Sequence, residues 1–283
     1  MNTRDLRGKV AVVTGAGSGI GRATALALAE RGADLAICDV DEAGLSATQD
    51  AIKALGRESF SQRVDVADAQ AMQRFAAGTL EALSRVDIVV NNAGIGIGGL
   101  FVDVPLEAWE KILGINISGV VHGCHAFLPA MIEAGEGGHI VNIASMAGYT
   151  QAPGMTAYGT TKYGVLGLSE SLRPELALHG IGVTAICPGV INTAIVKTSA
   201  MYGANDNPEL REEGIRAFER RNYTPERVAA GILKAIQKNR GVAPVSPEAW
   251  AGYWIKRLFP GLIAWFAGRA ARTQEKRRSE ASG

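Results

Sequence analysis

The sequence predicts an α/β protein built on a doubly wound parallel sheet with helices on both faces, and three observations carry that prediction. Apolar, β-branched runs alternate along the chain with stretches of helical length. The runs are continuously hydrophobic rather than alternating, as strands covered on both faces require. Glycine is abundant, 35 of 283 residues, which suits many tight turns between such elements.

Taken in order, the strands fall at residues 10–14, 34–38, 59–64, 86–90, 139–144 and 182–187. Helices are predicted at 20–31, 42–55, 69–83, 106–134, 158–179 and 225–238. Thr224 before Pro225 is a helix start, an N-cap hydroxyl followed by a residue whose missing N–H is not needed there. Pro174 lies inside the fifth of these helices, where the lost backbone bond predicts a bend. Two segments break the rhythm. Residues 194–223 form a long polar insertion, a candidate substrate lid. From Pro247 onward the pattern leaves the α/β alternation, so the chain divides into a domain at 1–246 and an extension at 247–283. Residues 273–283 read as a disordered tail.

Lys and Arg number 29 against 28 Asp and Glu, a balance that offers no field for nucleic acid. Cys38, Cys124 and Cys187 match neither a disulfide framework nor a zinc site and read as buried thiols of a reducing compartment. With a polar N-terminus and no run of about 20 apolar residues, the expected location is the cytoplasm. His122, His125, His139 and His179 share no ligand spacing with acids or cysteines, so no metal is expected, and only His122 with His125 merits a metal test.

Thr14-Gly15-Ala16-Gly17-Ser18-Gly19-Ile20-Gly21 follows the first strand and opens a helix. A helix N-terminus presents free backbone N–H groups, and glycines let a pyrophosphate approach them, so this Rossmann-type context points to a dinucleotide. The spacing is G-x-x-x-G-x-G rather than G-x-G-x-x-G, and a glycine turn with no ligand is the alternative. Asp39 closes the second strand, 18 residues after Gly21. A carboxylate there accepts from both ribose hydroxyls and repels a 2′-phosphate, while Ser18 and Val40 offer no cation to hold one. NAD is therefore expected over NADP, with Arg22 the nearest opposing charge.

Tyr158 and Lys162 stand at i and i+4 on one helical face. An ammonium about 4 Å from the phenol would lower its pKa by roughly 3 units at an effective dielectric of 20, making Tyr158 an acid/base near neutrality. Such a pair also arises by chance on surface helices.

With Asn91-Asn92-Ala93-Gly94, Asn116, Ser145 and Pro188-Gly189 in the same order, the chain resembles the short-chain dehydrogenase/reductase family over roughly residues 7–245. The resemblance implies that Tyr158 exchanges a proton with a substrate oxygen, that Ser145 hydrogen-bonds that oxygen, and that Lys162 tunes Tyr158 and binds the nicotinamide ribose. It implies that Asn116 sits in an unwound helix turn and holds a water linking Lys162 to solvent. Gly15, Ser18, Gly19, Ile20 and Gly21 would meet the pyrophosphate, Asp65 and Val66 the adenine, and Asn92, Ala93 and Gly94 the adenosine side. Pro188, Val190 and Thr193 would lie along the nicotinamide. A homo-oligomer, dimer or tetramer, is implied as well.

Residues 95–101 and 146–155 and the lid are largely apolar, which points to a lipophilic alcohol or ketone. The extension repeats Trp250, Trp254 and Leu258 at i+4 and adds Leu262, Ile263, Trp265, Phe266 and a basic series from Lys256 to Arg278. Docking on the parent fold or a second subunit is the leading expectation for it, with weak membrane-surface contact through 247–278 behind. A catalytically silent NAD-binding sensor is the alternative outside catalysis. An epimerase or dehydratase also uses Tyr-x-x-x-Lys, but the glycine spacing and Asn91 to Gly94 favour the redox group.

Overall fold

Five consecutive apolar or β-branched residues, Val10–Thr14, are shielded on both faces only in the middle of a sheet, and the computed structural model places them there as β1. The structure describes residues 1–281 apart from Gln151 and Ala194. The first half runs through α1 (Gly19–Ala29), β2 (Asp34–Asp39), α2 (Glu42–Ala54), β3 (Ser59–Arg63), α3 (Ala69–Leu83) and β4 (Ile88–Asn91). The second contains β5 (Ile97–Gly98), α4 (Leu106–Leu113), a π-turn at Gly114–Ser118, α5 (Gly119–Ala134), β6 (Gly138–Ile143), α6 (Thr156–Ala177) and β7 (Ile181–Cys187). There follow α7 (Ile195–Thr198), β8 (Ala200–Met201), α8 (Pro208–Arg221), α9 (Pro225–Gln237), β9 (Val242–Pro244), α10 (Pro247–Leu258) and α11 (Pro260–Ala281).

The main sheet is parallel, with order β3-β2-β1-β4-β6-β7-β9. Strand order reverses between β1 and β4, so the loops leaving the two strands diverge and a crevice opens at their carboxyl ends. Each face has its own core. One packs Leu28, Leu35, Ile37, Ile232 and Ile236 from strands, α1 and α9. The other packs Phe75, Phe127, Met131 and Val165 from α3, α5 and α6, with Phe75 stacked on Phe60 and edge-on to Phe127.

All six predicted strands are present, with ends displaced by at most two residues. β9 was not predicted because Val-Ala-Pro is too short to show a pattern, and its proline is tolerated at a sheet edge. The helical run Leu106–Ala134 is long and apolar enough to cross a membrane by length and composition. Here the π-turn divides it, and Val120, Cys124, Phe127 and Met131 pack onto the sheet.

Three segments take regular form. α6 runs as one element from Thr156 to Ala177 with Pro174 inside it. Within the long polar insertion, residues 195–221 fold as α7, β8 and α8, α8 being capped by Asn207 and opened by Pro208. α11 extends to Ala281, through residues 273–281 that contain neither glycine nor proline, where the sequence suggests a disordered tail; Ser282 and Gly283 lie outside the described residues.

At the opposite end of the sheet from the crevice, Asp87 ties three strands together. Its backbone bonds Val10 and His139, and its buried carboxylate accepts from Val10 N–H at 3.0 Å, Lys9 Nζ at 2.9 Å and Arg85 Nε at 2.8 Å. Burial alone would raise this carboxyl, but the bonds from Arg85, Val10 and Lys9 outweigh it and hold it below the usual carboxylate range. The stability it contributes is complete above the unfolded-state pKa near 4 and is lost as pH falls through the lower folded value. Asp87→Asn should lower unfolding free energy by roughly 3 kcal/mol at pH 7. Urea titrations at pH 7 and at about pH 3 should show that deficit shrinking below pH 4.

Candidate active site

β1 ends at Thr14 and the chain must turn sharply into α1 beneath the crevice. Gly15 and Gly19 take positive φ, +65° and +52°. Gly21 packs so tightly on the carbonyl of Gly15 that no Cβ fits between them. A Cβ on Gly15 would meet Ala93 Cα at 2.8 Å and Asn92 Nδ2 at 2.9 Å. The turn is thus pressed against the segment after β4. Asn92 gives both amide hydrogens to carbonyls of the turn, Thr14 at 2.9 Å and Gly15 at 3.0 Å. Thr14 Oγ1 accepts from the N–H groups of Asn92 and Ala93 in return. Asn92, expected on the adenosine side of a cofactor, therefore spends its side chain on holding the glycine turn.

Gly17 donates its N–H to Asp39 Oδ2 at 2.8 Å, and Asp41 donates to Oδ1 at 3.0 Å. Both oxygens keep lone pairs for a diol, and the carboxylate is fixed beside the turn. Val40 is exposed and apolar. Ser18 precedes α1 without capping it, leaving the first-turn N–H groups of Gly19, Ile20 and Gly21 without helical acceptors. The Cβ position of Gly19 faces the Thr193 methyl at 3.5 Å, so glycine keeps open the gap between helix start and the segment after β7. The cradle fits a dinucleotide phosphate. Asp65 is exposed, whereas Val66 is buried in the α5 side of the core, its methyl filling the space where Gly119 lacks a Cβ. The Val66 carbonyl lies 2.8 Å from His122 Nδ1.

The catalytic candidates converge at the ends of β4 and β6. Ser145 follows β6 and its Oγ accepts from Ala147 N–H at 3.2 Å, which leaves the hydroxyl hydrogen to donate. Lys162 is buried, and its ammonium bonds the Ile143 carbonyl at 2.8 Å. Its Nζ lies 5.7 Å from the Tyr158 ring centre. Burial lowers the Lys162 pKa to about 8, opposed by the Cys187 thiol. Burial also raises the phenol of Tyr158, only partly offset by a hydrogen bond with Ser145. The hydrogen-bond partner of the ammonium here is the Ile143 carbonyl rather than the phenol.

Asn116 sits at the centre of the π-turn, where Gly119 N–H reaches back to Gly114. The turn is widened rather than unwound. The Asn116 amide donates to Ile95 O at 2.9 Å and Thr161 Oγ1 at 3.1 Å and accepts from Ile95 N–H at 2.9 Å. Its side chain is a brace between the segment after β4 and α6. A Cβ on Gly94 would sit 3.2 Å from Asn116 Oδ1 and 3.6 Å from Lys162 Nζ, which brings that glycine to the lysine.

The Pro188 carbonyl bonds Met146 N–H at 2.8 Å, joining the segment after β7 to the Ser145 turn. Val190, expected along the nicotinamide, gives its N–H to Glu248 Oε1 at 3.0 Å, and Arg221 holds Oε2 at 2.8 Å. What Val190 retains for a ligand is its carbonyl and side chain. Burial would raise Glu248, but Arg221 and the backbone donors bring it to about 2. Thr161, Ile143, Arg221 and Glu248 were missed from sequence. Thr14 was quoted as the start of the glycine turn, but its bonds to Asn92 and Ala93 were not foreseen.

Beside Tyr158, β5 pairs with β8, and Gly99 bridges Met155. Residues 95–101, 152–155 and 199–202 thereby meet over a small apolar cluster of Ile97, Val104, Ala108, Ile112 and Ala157, flanked by Ile95, Trp109, Tyr158 and Tyr202. Among the described residues, no group of three or more His, Cys, Asp or Glu side chains could hold a metal ion. His122 and His125 turn to separate partners, Val66 O and Gln73.

The sequence profile of short-chain dehydrogenases matches residues 9–201. Two Mycobacterium tuberculosis proteins named as oxidoreductases are similar. EphD is 44% identical over 252 residues, covering 88% of this chain and 43% of its own length. SadH is 40% identical over 255 residues, covering 89% and 91%. The chain thus spans less than half of EphD. A crystal structure of a Burkholderia phymatum short-chain dehydrogenase/reductase in complex with NAD superposes with a TM-score of 0.81 at 33% identity, covering 91% and 96%.

The buried ammonium has a consequence for stability. Lys162 binds fewer protons when folded than when unfolded between pH 8 and its ordinary value of 10.5, so stability rises with pH across that window. Lys162→Met, measured by urea unfolding without added dinucleotide, should be more stable than wild type at pH 7 by up to about 3 kcal/mol. The advantage should shrink towards pH 10.

Proposed function

The chain belongs to the short-chain dehydrogenase/reductase family, and from that premise we propose that it is an NAD(H)-dependent oxidoreductase interconverting a secondary alcohol and a ketone. The observation that carries this reading is the convergence of Ser145, Tyr158 and Lys162 at the mouth of a crevice whose other wall is a glycine turn bonded to Asp39. Gly15, Ser18, Gly19, Ile20 and Gly21 hold the pyrophosphate, Asp39 the adenosine ribose, Asp65 and Val66 the adenine, and Pro188, Val190 and Thr193 the nicotinamide side. Bound NAD supplies the hydride acceptor, and NADH the donor.

The protein's part is proton management. In the ketone-reducing direction, the Ser145 hydroxyl donates to the carbonyl oxygen and the protonated Tyr158 phenol delivers its proton to the developing alkoxide. The raised phenol pKa keeps that proton in place at neutral pH. In the reverse direction Tyr158 must accept a proton, and the Lys162 ammonium is the nearby cation that favours its ionised form. Asn116 braces the turn next to Lys162. Asp39 favours NAD over NADP, as the complex of the Burkholderia relative with NAD supports. The apolar cluster around Ile97, Ala157 and Tyr202 suits a lipophilic substrate.

The catalytic unit is residues 1–246, with 247–283 as an appended element. Exposed Leu113, Val121, Ile132 and Tyr163 along α4, α5 and α6 support assembly into a homo-oligomer. Three buried, unpaired cysteines suit the reducing cytoplasm.

An activity screen with NAD⁺ and NADP⁺ over secondary alcohols of graded chain length should show turnover with NAD⁺ and a rise with apolar length. Tyr158→Phe should reduce kcat by roughly a thousandfold while NADH binding, followed by fluorescence, persists. Full activity in that variant would sink the mechanism.

A further inference from the structure

The extension leaves a surface that the catalytic unit does not use. α10 is tied to the active-site side: Tyr149 donates to the Ala249 carbonyl at 2.7 Å and stands edge-on to Tyr253, and Glu248 holds Val190 and Arg221. Its other side, and the start of α11, do not return to the core. Trp254, Ile255, Leu258, Phe259, Leu262, Trp265 and Phe266 are between 37% and 63% exposed. Trp254, Leu258, Leu262 and Phe266 recur every four residues through the elbow at Phe259-Pro260. A row of large apolar side chains this open is uncommon on a chain that works alone in water.

The charge around the row is one-sided. Residues 249–274 contain Lys256, Arg257, Arg269 and Arg272 and no acid. Arg257 lies over Tyr253 at 5.1 Å and Arg269 over Trp265 at 5.7 Å, so cations and aromatic rings are interleaved. A two-fold contact between copies would set this patch against itself, cation against cation. An anionic lipid headgroup complements the same charges, while tryptophan, phenylalanine and leucine enter the interface below.

The elbow also has a fixed relation to the substrate mouth. α11 packs beside the turn at Gly203–Asn205, and Gly203 lies against Asp103. Adjoining Asp103, the exposed Phe101, Val102 and Leu106 form a second apolar rim. Tyr202, next to that turn, packs on the cluster that includes Tyr158.

We propose that the α10–α11 elbow is a docking face for an anionic bilayer surface, and that docking turns the substrate mouth towards the lipid. The second clause rests on the lipophilic-alcohol reading; the first does not. Co-sedimentation of the full chain with phosphatidylcholine vesicles containing about one-third phosphatidylglycerol, against pure phosphatidylcholine, tests it. Wild type should pellet with the anionic vesicles and release as salt rises. Trp265→Ser with Phe266→Ser, and separately Lys256→Glu with Arg257→Glu, should each weaken binding roughly tenfold or more. Turnover of a water-soluble alcohol should stay unchanged, and turnover of a long-chain alcohol dissolved in the vesicles should fall. Wild type remaining in the supernatant, or pelleting no better than the variants, overturns the proposal. A dimer that the same substitutions dissociate, with no vesicle binding, assigns the face to a second copy and overturns it too. Sedimentation needs no turnover, so a chain that binds vesicles but oxidises no alcohol would count against the dehydrogenase reading alone.

Discussion

Lys162 carries a positive charge into the interior at the carboxyl end of a parallel sheet, where its ammonium bonds the carbonyl of Ile143. Such a group is expensive to bury, and its lowered pKa is the visible sign of that expense. The surroundings are arranged to hold it there. Glycine at 94 lets the segment after β4 approach the ammonium, Asn116 pins that segment, and Thr161 pins Asn116 to the helix bearing the lysine. A charge that folding disfavours and architecture nevertheless retains is a mark of chemistry rather than of packing.

The opposite wall of the crevice obeys a different constraint, close approach of backbone to backbone. A Cβ at Gly15 or Gly21 would collide with the turn or with Asn92, so the helix start can sit against the β4 loop only with glycine at those positions. Hydrogen bonds from Asn92 and Thr14 then lock the approach. The two walls are joined through one short segment, Asn91 to Ile95, which touches the glycine turn at one end and the lysine environment at the other. The glycine turn and the surroundings of Lys162 are thereby held in one frame.

Much of this frame was legible in the sequence, for physical reasons that differ by element. Doubly buried strands announce themselves as largely apolar, β-branched runs, and β1, β4, β6 and β7 did so. Asp39, Tyr158 and Lys162 were legible because their chemistry is local: a strand-end acid after a glycine turn, a phenol and an amine one helical turn apart. The π-turn was hidden, because the apolar pattern of residues 106–134 runs through it without a break. The state of the Tyr158 phenol was hidden as well, since it depends on burial and on where the ammonium points. Glu248 was out of reach: its bond to Val190 spans 58 residues, and nothing near either residue marks the other.

That bond changes how the extension is to be regarded. By composition, 247–283 looks like an accessory that a lineage could gain, lose or exchange. Yet its second residue holds the loop after β7, its third accepts from Tyr149, and Arg221 of the lid region closes the same ring. The first helix of the extension is therefore built into the enzyme, and the modular seam lies later, at the Phe259-Pro260 elbow. A chimera that keeps its own α10 and borrows only α11 should inherit a new address without disturbing the old chemistry. One spliced at Ser246 would inherit a loosened loop along with it.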